Sequence, residues 1–407
     1  MSKTEIRGIW LTNTDSQVLS SQSNIAQAMN FLADTGFNVV FPVVWNKAAT
    51  LYPSKVIQGY FGFNFESNSD IDPLYQGRDP LAELVTEGHR VGMKVIPWFE
   101  YGFASSYNSN GGRLLAKKPE WSARDRSGNL LKKNGFEWLN ALDPRVQSFL
   151  QELVLEVAQN YDIDGIQGDD RLPAFPCEGG YDEKTKGRYY QQFGKNPPNN
   201  PKDKQWLQWR ADILTEFWGK LYREVKAVNP NLIVSLAPSI PKWGFQEYLQ
   251  DCDTWLQTGL VDIIHPQIYR RDFSSYKKII DNLLKDEFSD PIYPNRNPCK
   301  NSSRNLLKLA PGILMKIGSY VISPDYLIKA VNYNRDRSIN GEVFFFYEGL
   351  RANNNQLANI LRSQLYCESA SFPTPEDLRK DLREVLPFDN KSNHKNRFGR
   401  WWNKVKF

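Results

Sequence analysis

The chain has 407 residues, 41% of them apolar, and a formal net charge of +5. That length suits one (β/α)₈ barrel with long loops. The charge is uneven: residues 391–407 contain no acid, and without them the chain is nearly neutral, which gives no basis for a nucleic-acid-binding core.

Four cysteines, Cys177, Cys252, Cys299 and Cys367, have no metal-ligand spacing and read as free buried thiols. The first residues, MSKTEIRGIWLT, show no basic stretch followed by an apolar segment, so they read as leaderless and the chain as cytoplasmic. No apolar run reaches the roughly 20 residues that span a bilayer.

In chain order, short apolar strands alternate with longer amphipathic stretches. Strands are expected at 5–11, 38–44, 94–99, 163–168, 232–237, 262–269, 309–315 and 342–347, and helices at 24–35, 80–92, 144–160, 204–228, 245–257, 275–287, 324–337 and 355–366. The strands lack strict alternation, as when both faces are buried in a parallel sheet. Asp79-Pro80, Asp143-Pro144 and Ser323-Pro324 each place an N-cap before a proline at the first helical position. Gly36 suits a helix C-cap. Eight alternations favour a (β/α)₈ TIM barrel over an open doubly wound sheet, and no G-x-G-x-x-G follows the first strand. Long loops at 46–79, 101–143 and 171–203 fall on the face where such barrels build their sites. Residues 1–367 read as the barrel and 368–407 as a basic, partly disordered C-terminal extension. Its Phe398, Trp401, Trp402 and Phe407 offer a weak peripheral-membrane motif.

Carboxylates gather at the strand ends. Asp169 and Asp170 close the fourth strand, in YDIDGIQGDD, while Glu100 ends the third and Glu348 follows the eighth. Gln167 and Asp169 share one parity, which sends Asp169 toward the barrel axis and Asp170 to the rim. Glycoside cleavage needs two carboxyl groups across the scissile bond, and these four are the candidates. The alternative is that the aspartates cap a loop and the glutamates pair with Arg7, Arg171 or Arg270. His265, Gln267 and Tyr269 share a face of the sixth strand and can bond sugar hydroxyls, or fill the barrel as a polar ladder. Trp10, Trp45 and Trp98 lie at strand ends, with Tyr101 and Tyr347 near them, and aromatics there can stack on sugar rings. Three histidines in no ligand spacing give no metal site, and no cofactor motif appears. Neither a G-x-S-x-G elbow nor a Walker loop is present.

These motifs resemble those of the glycosyl-hydrolase-like family 10 proteins of bacteria and cyanobacteria. The matching segments are EIRGIWLT (5–12), FNVVFPVVWN (37–46), TLYP (50–53), RDPL (78–81), IPWFEYG (96–102), DGIQ with Asp169-Asp170, PQIYR (266–270) and FFFYE (344–348). The resemblance implies a (β/α)₈ barrel and a polysaccharide glycosidase. It is similar, more remotely, to the barrel domain that cleaves partially deacetylated poly-β-1,6-N-acetylglucosamine. Adjacent aspartates after the fourth strand carry catalysis there, and Asp169 and Asp170 match them. It implies a substrate that contains amino sugars; with the strand-end reading, Asp169 is expected as the primary carboxylate, Asp170 assisting, and Glu348 or Glu100 as the second. Members commonly carry an export signal. This chain departs from the pattern at Gly168, usually bulky, and at Arg171, usually His or aromatic. Beside two carboxylates Arg171 is expected to lower their pKa values. A carbohydrate-binding barrel without catalysis is the second functional expectation, and a phosphosugar enzyme the third, with only KIGS (316–319) as a phosphate loop.

Overall fold

The computed structural model describes residues 3–62, 75–286 and 306–378. Eight parallel strands alternate with eight helices: β1 Ile6–Leu11, α1 Gln22–Thr35, β2 Val39–Pro42, α2 Pro80–Arg90, β3 Lys94–Val95, α3 Pro144–Asn160, β4 Gly165–Gly168, α4 Lys204–Val228 and β5 Ile233–Leu236. Then follow α5 Cys252–Gln257, β6 in the two pieces Ile263–Ile264 and Gln267–Ile268, α6 Phe273–Asp286, β7 Gly312–Leu314, α7 Pro324–Asp336, β8 Gly341–Phe345 and α8 Glu348–Ile360. Parallel pairing runs β6–β7–β8–β1–β2–β3 and β4–β5–β6. The bridge between Trp98 and Gln167 joins the third strand to the fourth, so the ring closes as a TIM barrel.

Local sequence explains most boundaries. Asp79, Asp143 and Ser323 accept a backbone N–H at the start of α2, α3 and α7, each with proline in the first turn. Gly36 ends α1 in the left-handed region. The helix expected at 245–257 is two. Pro241–Tyr248 stops where Leu249 turns left-handed, and Asp251 caps α5 anew. In α8, Ala352–Asn355 leave helical geometry, so the first turn at Glu348 is separate from the helix proper.

The barrel interior is a packed layer rather than a pore. Trp10 donates its indole N–H to Gln167 Oε1 at 2.7 Å, and Gln167 Nε2 donates to Ser235 Oγ at 3.0 Å. His265 is fully buried, its Nδ1 bonded to Ala310 O at 2.8 Å. At the N-terminal end Arg7 bonds Glu5 and stacks on Tyr366, while Lys3–Thr4 pairs with Ala370–Ser371. Ordered packing thus runs past residue 367 to Leu378, 2% exposed. The basic aromatic tail lies outside the described residues, as does Cys299. Cys177 and Cys252 are buried and free; Cys367 is free but exposed, unlike the expectation for it. Among the described residues no helix is long and apolar enough to cross a membrane.

A second network here is pH-sensitive. Glu342, 0% exposed, accepts hydrogen bonds from Tyr366 and Asn334, and burial followed by the charge of Glu5 raises it to about 7. The folded state therefore binds more protons than the unfolded chain between pH 4.5 and 7, and stability falls as pH rises through that window. The cost reaches about 3 kcal/mol above pH 7. Glu342→Gln is expected to melt near wild type at pH 5 and higher than wild type at pH 8, measured by calorimetry. Parallel pH slopes for the two proteins would contradict this.

Candidate active site

The site assembles where β3 and β4 end. Arg171, 12% exposed, sits among three carboxyl groups. Its Nη2 lies 3.1 Å from Asp169 Oδ2 and 3.4 Å from Glu100 Oε1, and its Nη1 lies 3.0 Å from Asp170 Oδ1. Its Nε donates to Glu100 O at 3.0 Å. The guanidinium packs 4.6 Å from the Phe136 ring and 5.9 Å from that of Tyr101.

Two glycines make this approach feasible. Gly102 has φ +47°, and a Cβ there would lie 2.1 Å from Arg171 O; that carbonyl accepts Phe103 N at 3.0 Å. A Cβ on Gly168 would lie 2.3 Å from Leu172 O. The chain after Asp169 folds back on the strand end, with Asp169 N donating to Leu172 O at 2.8 Å. The departure from the family pattern at Gly168 thus has a steric reason in this chain.

The three carboxyl groups differ. Asp169, 1% exposed, has both oxygens engaged: Oδ2 by Arg171 and Oδ1 by Gln267 Nε2 at 2.8 Å. Its backbone carbonyl is held by Gln250 Nε2 at 3.1 Å. Asp170 is 27% exposed, and Glu100 is 19% exposed. Asp169 lies toward the axis and Asp170 at the rim, as their parity predicts.

The expectation that Arg171 lowers the pKa of the carboxyl groups beside it needs correction for Asp169. Burial raises Asp169 well above the carboxylate range, helped by the charges of Asp170 and Glu100 and only partly opposed by Arg171. Burial likewise raises Glu100 to about 7, against the pull of Arg171. One guanidinium does not offset the burial of Asp169 and Glu100, so both are held above the ordinary carboxylate range.

Other candidates divide. Gln267 also donates to Ala237 O at 3.0 Å, making it the clamp on Asp169. Tyr269, half-buried, packs 5.3 Å from Phe345, and burial plus the charges of Asp169, Asp170 and Glu100 hold its phenol well above its usual pKa. Glu348 Oε1 accepts from Ser16 Oγ at 2.7 Å, and the contacts seen for it do not include the aspartates. Tyr347 is buried against Phe31 of α1.

Three candidates for sugar contact are core instead. Trp10 and Trp45 are 0% exposed, Trp45 donating to Gly102 O at 3.0 Å. Burial lowers His265 to about 4, so it stays neutral inside the barrel against Phe41 and Trp10. Trp98 and Tyr101 are 3% and 5% exposed, so neither offers an open stacking face. Strand position gave no hint of this, because barrel interiors use large side chains too.

Sequence reasoning missed the residues that hold the loops. Lys133 Nζ bonds Glu178 Oε1 at 2.9 Å and Glu247 Oε2 at 2.7 Å, tying together the loops after β3, β4 and β5. It fills the middle of the Cys177–Glu178–Glu247 group, whose ligand atoms would otherwise suit a cation. Arg210, fully buried, stacks on Trp206 and donates to Cys177 O, Gly179 O and Pro201 O, each at 2.6 Å. Exposed aromatics in the loops of this face include Trp243 (48%), Tyr107 (53%) and Tyr190 (55%). Trp243 and Tyr107 follow strands with unremarkable motifs, so only their exposure marks them.

A closed (β/α)₈ barrel with a carboxyl cluster at the C-terminal ends of its strands defines a glycoside-hydrolase-type protein. The chain belongs to the glycosyl hydrolase-like 10 family, whose sequence profile matches residues 5–296. It is 25% identical to the glycosyl hydrolase DigH of Escherichia coli strain K12 over 341 residues, 72% of each chain. It is 23% identical to the glycosyl hydrolase YngK of Bacillus subtilis strain 168 over 405 residues, 91% of this chain and 74% of that one. Among solved structures it is similar to the PgaB (BpsB) glycoside hydrolase domain from Bordetella bronchiseptica, with TM-score 0.61 and 13% identity over 88% of this chain and 98% of that one. The catalytic domain of β-amylase from Paenibacillus polymyxa gives 0.58 and 11%, over 91% and 100%. At these identities the two structures speak for the fold alone.

Proposed function

We propose that this chain hydrolyses an O-glycosidic bond within a polysaccharide, and that Glu100 and Asp170 are the reacting carboxyl groups. The observation that carries this is one guanidinium, Arg171, contacting carboxyl groups from the ends of two neighbouring strands. Groups that share one guanidinium lie inside the upper limit, roughly 9.5 Å, that glycoside cleavage allows. Glu100, raised to about 7 and partly open to solvent, suits the proton donor to the leaving oxygen. Asp170, ion-paired at the rim, suits the carboxylate that attacks the anomeric carbon, stabilises the oxocarbenium ion or activates water. Asp169, with both oxygens engaged, suits electrostatic positioning of Asp170 more than direct attack, which shifts the primary role one residue along from the sequence expectation.

The substrate class we favour is an amino-sugar polymer, in line with the family resemblance. Reducing-end release from a panel that includes partially deacetylated poly-β-1,6-N-acetylglucosamine tests both parts. Binding without release would favour the non-catalytic carbohydrate-binding reading. The departures at Gly168 and Arg171 are what keep that reading in play.

Trp243 is an exposed aromatic that suits stacking on this face. Its ring lies 5.5 Å from Tyr248. Tyr248 O accepts Phe175 N from the loop that follows the aspartates. Trp243→Ala is expected to raise KM for oligosaccharides about 3–10-fold, the value of one aromatic contact, with kcat little changed. An unchanged KM in steady-state kinetics would remove Trp243 from the substrate path.

A further inference from the structure

At the ends of the second and third strands, three buried polar atoms have no hydrogen-bond partner among the described residues: Asn46 Oδ1, Trp98 Nε1 and Glu100 Oε2. Buried polar groups are nearly always paired, and unpaired ones are costly. Asn46 is 2% exposed. Its Nδ2 donates to Asn13 Oδ1 at 2.8 Å. Asn13 follows β1, so the amide plane of Asn46 is fixed and its carbonyl half is the one left open. A fixed side-chain carbonyl can only accept, so its ligand must bring an O–H or N–H.

The same segment borders Glu100. Val44 N donates to Trp98 O at 2.9 Å, and Tyr101 N donates to Trp45 O at 3.1 Å. The charge of Lys47, next to Asn46, reaches the Glu100 carboxyl. Trp98 and Glu100 are two residues apart just past the end of the third strand. Around the ring of strand ends, Asn46 therefore stands between Asn13 and Glu100. The unpaired acceptor at Asn46 matches a group that donates, which a sugar hydroxyl does.

We propose that Asn46, oriented by Asn13, is a substrate-binding residue whose Oδ1 accepts a hydrogen bond from a ring hydroxyl of the sugar unit bound against Glu100. Asn13 is a positioning residue, acting through the amide of Asn46. This rests on the reading that the chain cleaves a glycan, and it adds how one sugar unit is held.

The test uses the full chain and two probes, hexamers of β-1,6-linked glucosamine with and without N-acetyl groups. Asn46→Ala is expected to raise KM about 10-fold, the worth of one hydrogen bond, with kcat within about 3-fold. Asn13→Ala gives a smaller rise in KM. Asn13→Asp restores it, because a carboxylate still accepts from Asn46 Nδ2. Melting midpoints stay within about 2 °C of wild type. An unchanged KM in Asn46→Ala, while the wild type cleaves the probes, overturns the inference and leaves the hydrolase reading standing. A joint loss of kcat and melting midpoint in Asn46→Ala overturns it in favour of a purely structural role. If the effect of Asn46→Ala vanishes on the non-acetylated hexamer, an acetamido N–H is the donor and the hydroxyl assignment is wrong. Failure of the wild type to cleave or bind either probe overturns the hydrolase reading on amino-sugar chains, and this inference with it.

Discussion

Asp170→Asn is expected to lower kcat on the polysaccharide about 10³–10⁴-fold while leaving the fold intact. Asp170 is the most open of the three carboxyl groups on Arg171, at 27% exposure, so substrate can reach it without rearranging the barrel. Asparagine keeps the shape but neither attacks an anomeric carbon nor activates water as a base. Asp169→Asn disturbs the site differently. It replaces a proton-binding group on Arg171 and Gln267 by an amide that binds none, so its loss of rate comes with altered pH dependence. Reducing-end assays with circular dichroism check both. Turnover by Asp170→Asn within about 10-fold of wild type would exclude it as a reacting group.

Glu100→Gln carries the second large effect. A proton donor must hold its proton, and burial raises Glu100 to about 7. Wild-type kcat/KM is therefore expected to fall as pH rises through about 7, and the Glu100→Gln variant to lack that limb. Its rate on the polysaccharide falls about 10²–10⁴-fold. An aryl glycoside with a nitrophenolate leaving group, which needs no proton, is spared most of that loss. Equal losses on both substrates, or a flat wild-type profile from pH 6 to 8, would reject the assignment.

The pH behaviour depends on a balance the residue order alone misjudges. Next to Asp169 and Asp170 in the chain, Arg171 looks like a group that lowers their pKa values. In the fold Asp169 and Glu100 are drawn out of water around a single cation. The cost of desolvation then exceeds the attraction, because charge–charge repulsion adds to burial and only one positive charge opposes them.

The carboxylate pair at the end of the fourth strand was legible from the sequence. So were eight strand–helix alternations, their Asp-Pro and Ser-Pro caps, and the parity that turns Asp169 inward. Each of these is local: a cap, a period or an alternation needs only neighbours in the chain. Tertiary structure decided everything that requires knowing what lies opposite. It made Trp10 and His265 part of a packed interior, because residues from facing strands fill the barrel axis, and buried Trp45 against Phe149 of α3. It drew Glu100 onto Arg171 across 71 positions of sequence and left Glu348 with Ser16. It set Gln267, 98 positions away, as the clamp on Asp169. Strand-end acids therefore announced a site, but which of them share one charge and keep a proton followed only from ring closure and the burial it imposes.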